Sequence, residues 1–340
     1  MPPIPPPPTS ASLPTWQPRV VCYQQTYHQD DKYISLLPLI TNGPPAITHL
    51  ILSAVHINWD PNNLTLNDHP PTDARYTQLW DEVAVLQAYG IKVMAMLGGA
   101  ARGSFARLDI SESRTDIPIA RFESYYAPFR DLLRQHNLDG VDLDIEEEMS
   151  LPGVVHLIDR LKADFGNEFL ITLAPVATAL MPGRRPHLSG FSYHLLEAAR
   201  GSSIAWYNTQ FYNGWGGIEA PWAYDEIVGQ QGQNGGRSLF PPEKVVAGML
   251  TNPRHGGSGY VRLEQTAVVL SYLTEKYPRF GGVMGWEYWA SLPNEINCWQ
   301  WAWCMRLMLS MRELRDAAIV VNMGRSLAGL NVDQARIGSR

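Results

Sequence analysis

The stretch DGVDLDIEEEMS, residues Asp139 to Ser150, alternates apolar and acidic side chains over positions 141–146. Successive side chains of a β-strand point to opposite sides. A strand here would therefore place Asp142, Asp144 and Glu146 on one face and three aliphatic residues on the other. A row of like charges is costly to bury unless at least one of the acids holds a proton. The pattern predicts a strand whose acidic face serves chemistry.

Strands and helices alternate on both sides of this stretch. The other predicted strands are RVVCYQ (19–24), ITHLILSAVHIN (47–58), IKVMAML (91–97), FLITLAP (169–175), IAWYNTQFY (204–212), KVVAGML (244–250) and GGVMGWEYW (281–289). The predicted helices are 33–40 (weakly marked), 76–89, 122–133, 153–165, 188–200, 224–229, 263–277 and 297–314. Strands rich in Val, Ile and Leu are typical of buried parallel sheets. Eight such units predict a (β/α)8 barrel, with an open doubly wound sheet as the alternative.

Composition and charge bound the partners. The 340 residues carry a net charge of −6 and show no Lys/Arg stripe, which disfavours nucleic-acid binding. No apolar run approaches the roughly 20 residues needed to span a bilayer. We expect a monomer with a disordered proline-rich arm (1–18), one barrel domain (19–315) and a tail of unassigned role (316–340). Without a secretory signal at the start, a cytoplasmic enzyme is expected, with secretion as the alternative.

Glu146 is the last acid of the row, at the carboxyl end of the predicted strand, where barrel enzymes hold their reacting groups. Neighbouring like charges raise the pKa of such a carboxyl and suit it to act as a general acid. A magnesium site on two of the carboxylates stays open as an alternative. An EF-hand calcium loop does not fit, because Val141 and Leu143 fall where oxygen ligands are needed. Glu147 and Glu148 are expected to form a solvated charge run.

The octapeptide DGVDLDIE (139–146) resembles the D-G-x-D-x-D-x-E signature of glycoside hydrolase family 18, the chitinase-like hydrolases. MLGGA (96–100) is similar to the third-strand element of that family, with Leu97 in place of a serine. QFYN (210–213) is similar to the sixth-strand element of its plant-type members, and GGVMGW (281–286) to the eighth-strand element that carries a sugar-binding tryptophan. The resemblance implies a (β/α)8 barrel whose fourth strand is the acidic one.

Longer stretches resemble fungal endo-β-N-acetylglucosaminidases of this family. They are LNDHPPTD, KVMAMLGGAARGSF, FLITLAPVATAL, LSGFSY, WYNTQFYNGWG, KVVAGMLTNP and GGVMGWEYWASLP, spread over roughly residues 19–309. Such enzymes cut the GlcNAc-β1,4-GlcNAc core of N-glycans. Only TNPRHGGSGY joins the seventh strand to the next helix, where large chitinases insert a small α+β module. A single-domain barrel without that module is therefore expected.

The resemblance implies substrate-assisted, retaining catalysis, in which the 2-acetamido group of the sugar attacks its own anomeric carbon and forms an oxazolinium ion. Glu146 would be the acid and base, and Asp144 would orient the acetamido N–H. Asp142 would share a proton with Asp144, and Tyr212 would bind the acetamido carbonyl. No metal or cofactor is implied. The expected sugar-binding residues are Trp286, Gln210, Gly98, Gly99, Asn213 and Glu287.

Three functions remain open at this stage. The first is an endo-β-N-acetylglucosaminidase that acts on an N-glycoprotein or a free N-glycan. The second is a chitinase with the same machinery. The third is an inactive sugar-binding lectin, which the presence of Glu146 disfavours. His56, on the second strand, is expected to be a satisfied core histidine rather than a catalytic one.

Overall fold

The fold is a closed barrel of eight parallel strands, as the alternation of elements predicts. The computed structural model describes residues 16–110, 119–183, 185–230 and 238–310. In chain order, β1 to β8 are Arg19–Gln24, His49–Ile57, Lys92–Gly98, Gly140–Asp144, Leu170–Leu173, Trp206–Gln210, Val245–Leu250 and Gly282–Trp286. Each strand pairs with the next, and β1 pairs with both β2 and β8, so the barrel strands have no open edge.

Helices surround the barrel. In chain order, α1 to α8 are Pro38–Thr41, Thr77–Ala88, Ser104–Leu108, Ile119–Gln135, Leu151–Phe165, Tyr193–Arg200, Trp222–Val228 and Leu263–Lys276, and residues 299–310 are also helical. The helix predicted over 188–200 begins later, because the Ser192 side chain accepts a hydrogen bond from the Leu195 N–H and caps it. Among the described residues, no helix is both long and apolar enough to cross a membrane.

The two faces of the barrel strands pack into two different hydrophobic clusters, one outside the barrel and one inside it. Val141, Leu143 and Ile145 belong to the layer between the strands and the helices. A smaller layer inside the barrel includes Tyr23 and Trp206, together with methionines of β3 and β8. The acids that alternate with the three aliphatic residues therefore face the barrel interior.

The remaining fold predictions concern the two ends of the chain and the connection between β7 and α8. Residues 1–15 of the predicted arm and the whole predicted tail lie outside the described residues. Trp16, which was predicted to lie in the arm, contacts the barrel domain, because its indole N–H donates to the carbonyl oxygen of Phe280 at 2.9 Å. Between β7 and α8 the chain makes only a short 3-10 turn, Pro253–His255, and no inserted module.

Candidate active site

Three carboxyl groups, those of Asp142, Asp144 and Glu146, lie in order along β4 from the barrel interior to the carboxyl end of the strand. Asp142 is fully buried within β4, and Asp144, the last residue of that strand, is 5% exposed. Glu146 lies just past the strand end and is partly exposed, and its N–H donates to the carbonyl oxygen of Asp144 at 3.2 Å. This order places the most accessible carboxyl at the mouth of the barrel.

Asp142 is held by three donors from three other strands. The Tyr23 hydroxyl donates to Oδ2 at 2.7 Å, and Oδ1 accepts from the Thr172 hydroxyl at 2.5 Å and from the Asn208 amide at 3.0 Å. Burial raises the pKa of Asp142, and the hydrogen bonds from all three donors partly offset that rise. The sequence reading missed these three residues. Their signal was a polar side chain at an inward position of an otherwise apolar strand.

Gln210 links the two outer carboxyls. Its Nε2 lies 3.2 Å from Asp144 Oδ1, 3.2 Å from Glu146 Oε1 and 2.9 Å from the carbonyl oxygen of Ala174. Burial raises the pKa of Asp144 well above its usual range, and the charges of Glu146 and Asp142 add to that rise. Burial also raises the pKa of Glu146, against the hydrogen bond from Gln210. The pair is therefore suited to share a proton rather than carry two full charges.

The outer carboxyls open into a cavity of about 380 Å³, within the range of small-ligand sites. Tyr212 lines it just beyond β6, and burial together with the nearby carboxylates raises the pKa of its hydroxyl well above the usual value. The hydroxyl therefore stays a neutral hydrogen-bond donor. Trp286 lines the same cavity at the end of β8, with its ring edge-on to Tyr23 at a centroid distance of 5.6 Å. An acid, a buried carboxylate, a hydroxyl donor and an apolar plane thus surround one space.

Gly98 and Gly99 form part of the cavity wall at the end of β3, in backbone conformations with φ of +96° and +86°. A Cβ on Gly98 would lie 2.3 Å from the Phe105 ring and 2.6 Å from the carbonyl oxygen of Asp144. The Gly99 N–H donates to that same oxygen at 2.9 Å. These glycines are required because β3 approaches β4 closely at the height of the carboxyls.

Two expected sugar contacts are engaged elsewhere. Glu287 does not line the cavity. Its carboxylate accepts from the Gln25 and Thr26 N–H groups and from the Thr26 hydroxyl, so the expected sugar contact is corrected to a brace for the loop after β1. Asn213 does line the cavity, but its Oδ1 accepts from the Gly257 N–H at 2.8 Å. The side-chain amide nitrogen of Asn213 is the part left for a ligand.

Two further expectations are wrong. Glu147 is buried rather than solvated, because both its oxygens accept from the Gly103 N–H and one accepts from the Phe105 N–H at the start of α3. Glu148 is exposed, as expected. His56 lines the cavity, and its buried Nδ1 has no hydrogen-bond partner in the described part of the chain, so it is not a satisfied core histidine.

The geometry does not favour a magnesium site that includes Asp142. Both Asp142 oxygens already face hydroxyl or amide donors, which would point hydrogen atoms toward a cation. Within the described ranges, no group of three or more His, Cys, Asp or Glu side chains is arranged to hold a metal ion.

Comparison with known proteins identifies the family of the chain. The model of "Glycosyl hydrolases family 18" matches residues 19–249. A chitinase structure, ChiC from Aspergillus fumigatus, is 51% identical, with a TM-score of 0.74 over 82% of this chain and 94% of that one. A fungal endo-β-N-acetylglucosaminidase structure of family 18 is 45% identical, with a TM-score of 0.77 over 86% and 98%. Chitinase 1 of Rhizopus niveus is 27% identical over 277 residues, which are 79% of this chain and 50% of that relative, so the chain spans about half its length. The chain belongs to glycosyl hydrolases family 18.

Proposed function

We propose that the protein is an endo-β-N-acetylglucosaminidase that hydrolyses the GlcNAc-β1,4-GlcNAc core of N-glycans. The observation that carries the proposal is the single cavity in which Glu146, Asp144, Tyr212 and Trp286 meet. Among the described residues that line it, Asp144 and Glu146 are the only acids. Asp144 is almost fully buried beside Gln210, a position suited to a hydrogen bond rather than to attack. The nucleophile is then supplied by the acetamido group of the sugar, as in other substrate-assisted glycosidases.

The proposed reaction follows from these positions. With the sugar ring on Trp286, Glu146 donates its proton to the glycosidic oxygen while the acetamido carbonyl oxygen attacks the anomeric carbon. The bond to the leaving GlcNAc breaks, and an oxazolinium ion forms. Asp144 accepts a hydrogen bond from the acetamido N–H and stabilises the positive charge that develops on that group. The Tyr212 hydroxyl donates a hydrogen bond to the acetamido oxygen. Glu146, now a carboxylate, takes a proton from a water molecule. The oxygen of that water attacks the anomeric carbon and opens the oxazolinium ring, with net retention of configuration.

A chitinase would use the same groups, and the high identity to ChiC makes it the second candidate. Two observations favour the N-glycan core. The similarity to the fungal endo-β-N-acetylglucosaminidase covers nearly all of that protein, and it covers a larger part of this chain than the similarity to ChiC does. The short turn Pro253–His255 adds no wall after β7 that would deepen the cleft for a long polymer.

The direct test is mass spectrometry of a high-mannose glycoprotein after incubation with the enzyme. The proposal requires release of the glycan and retention of one GlcNAc on asparagine. Chitin oligomers in a parallel reaction test the second candidate. Turnover of the oligomers with an unchanged glycoprotein would refute the first function and support the second.

A further inference from the structure

The inward face of β6 carries a row of side chains that reaches the acidic row of β4. Trp206, Asn208 and Gln210 alternate along the strand, so they share one face of it. Asn208 donates to the innermost acid, and Gln210 donates to the two outer acids. Trp206, the first residue of the row, is a hydrogen-bond partner of Asn208 rather than of an acid.

The Trp206 indole fixes the direction in which the Asn208 amide points. Its Nε1–H donates to Asn208 Oδ1 at 2.8 Å, and both side chains are almost fully buried. An indole nitrogen can only donate, so the amide oxygen must face it and the amide NH2 group must face away. The nitrogen of that NH2 group lies 3.0 Å from Asp142 Oδ1. Trp206 thereby makes Asn208 an obligatory donor to the carboxyl group.

The locked amide favours the charged form of Asp142. The two other donors to this carboxyl group are hydroxyls, which can turn and accept a hydrogen bond from a protonated acid. The Asn208 NH2 group has no such freedom, and its hydrogen atoms would oppose a proton on the oxygen that it faces. Its hydrogen bond lowers the pKa of Asp142, against the effect of burial.

The titratable groups around these contacts transmit the charge of Asp142 to one neighbour. The Arg19 guanidinium lies 4.4 Å from the centre of the Trp206 ring, and the His49 ring is edge-on to it at 4.6 Å. Burial lowers the pKa of Arg19 to about 10 and that of His49 to about 3, so neither group titrates near neutral pH. Asp142 also interacts with Asp144 and with three tyrosines whose pKa is raised by burial, Tyr23, Tyr193 and Tyr212. Because the phenols stay neutral, the charge of Asp142 acts on the proton of Asp144.

We propose that Trp206 is a positioning residue for the proton on which the reaction depends. By locking the Asn208 amide toward Asp142, it keeps the negative charge on the innermost acid and leaves the shared proton to the outer two. The inference rests on the mechanism proposed above, and Trp206 itself does not line the active-site cavity. Without the lock, the amide can rotate and present its oxygen to Asp142, which then takes the proton. The charge of Asp142 no longer raises the pKa of Asp144, so Asp144 and Glu146 lose their shared proton at a lower pH.

The test is the pH dependence of kcat/KM for Trp206→Phe, which keeps an aromatic ring but lacks the indole N–H. Trp80→Phe on the outer helix α2 is the matched control, because it removes an indole bond of similar length, 2.9 Å to the Pro71 carbonyl oxygen. In Trp206→Phe we expect the fall of kcat/KM at high pH to begin about 1 pH unit lower than in the wild type. This shift corresponds to a loss of about tenfold on the alkaline side. Trp80→Phe should keep the wild-type profile.

Asn208→Leu supplies a second comparison, because it removes the amide with little change of volume. In that background Trp206→Phe should cause no further shift of the pH profile. Trp206→Met repeats the test with a flexible side chain, in an interior cluster that already contains methionines. Melting temperatures show which variants are folded.

A Trp206→Phe profile that matches the wild type would overturn the proposal. So would a loss of rate that is equal at every pH, or a shift that adds in full to that of Asn208→Leu. Rates are measured on a high-mannose glycopeptide and on GlcNAc oligomers. A wild type that cuts only the oligomers refutes the proposed function, and the pH comparison is then decided on the oligomers. Carbon-13 titration of the aspartate carboxyl groups in the free protein makes the same comparison without a substrate.

Discussion

Replacing Glu146 by glutamine separates proton donation from every other property of that side chain. Glutamine has the same shape, and its amide oxygen can still accept the 3.2 Å hydrogen bond from Gln210. It cannot protonate a leaving group. Because the side chain is partly exposed and the substitution keeps the hydrogen bond from Gln210, we expect an unchanged melting temperature and an unchanged KM.

The size of the effect follows from the role. General acid catalysis contributes about 10²- to 10⁴-fold to rate, so Glu146→Gln should lower kcat by about that factor on a natural linkage. At 1.36 kcal/mol per tenfold change, this corresponds to about 3–5 kcal/mol of lost transition-state stabilisation. On an aryl glycoside whose leaving group needs no proton, the deficit should shrink by at least tenfold.

The pH profile supplies an independent reading of the same proton. Burial raises the pKa of Glu146, and the acid is active only while protonated, so the wild-type rate should fall as pH rises through this raised pKa. That fall should occur at a higher pH than for an ordinary glutamate, and Glu146→Gln should lack it. The exposed Glu148→Gln is the control variant. A deficit that is the same for good and poor leaving groups, or that Glu148→Gln also shows, would refute the assignment of Glu146 as the acid.

Three further predictions concern the frame around the site, each checked by denaturant unfolding. Thr172→Val removes a donor to a buried carboxylate and should cost about 1.5–3 kcal/mol, whereas Thr209→Val, whose hydroxyl makes only a 3.4 Å bond, should cost about 1 kcal/mol or less. Glu147→Gln should lower the free energy of unfolding by about 0.5–2 kcal/mol, because it weakens the hydrogen bonds at the start of α3. A loss no larger than that of Glu148→Gln, at the exposed neighbouring glutamate, would contradict this. Gly98→Ala should cost about 2–5 kcal/mol through overlap and backbone strain, against about 1–2 for Gly90→Ala, which has open space; equal costs would show that the overlap is relieved.

The fold was predictable because each strand carries its own signal. The helices predicted over 76–89 and 263–277 match Thr77–Ala88 and Leu263–Lys276 to within one residue at each end. The first unit was weakly marked for a physical reason. Its helix, Pro38–Thr41, has only four residues, and the preceding residues form a small antiparallel pair, His28–Gln29 with Lys32–Tyr33. A helix of one turn shows no amphipathic period that a sequence can display.

The residue pattern alone predicted the site only along one strand, whereas Tyr212 and Trp286 on other strands were predicted through the family resemblance. Asp142, Asp144 and Glu146 are neighbours in sequence, so their alternation was visible. The donors that hold Asp142 lie 30, 66 and 119 residues away, on three other strands. Nothing in a single sequence sets the rotation of one barrel strand against another. The residues that tune the buried carboxyl became identifiable only once the barrel had closed.

Glu147 shows why charge alone misleads just past a strand end. The sequence places it in a run of three glutamates, for which solvation is the natural expectation. The chain turns after β4, however, and directs this side chain at the free N–H groups of α3, where a carboxylate is favoured by both hydrogen bonding and the helix dipole. Glu146 and Glu147 are adjacent but point in different directions. Glu146 faces the cavity, whereas Glu147 binds the backbone at the start of α3. In the proposed mechanism Glu146 moves a proton, and the hydrogen bonds of Glu147 hold the backbone beside it in place.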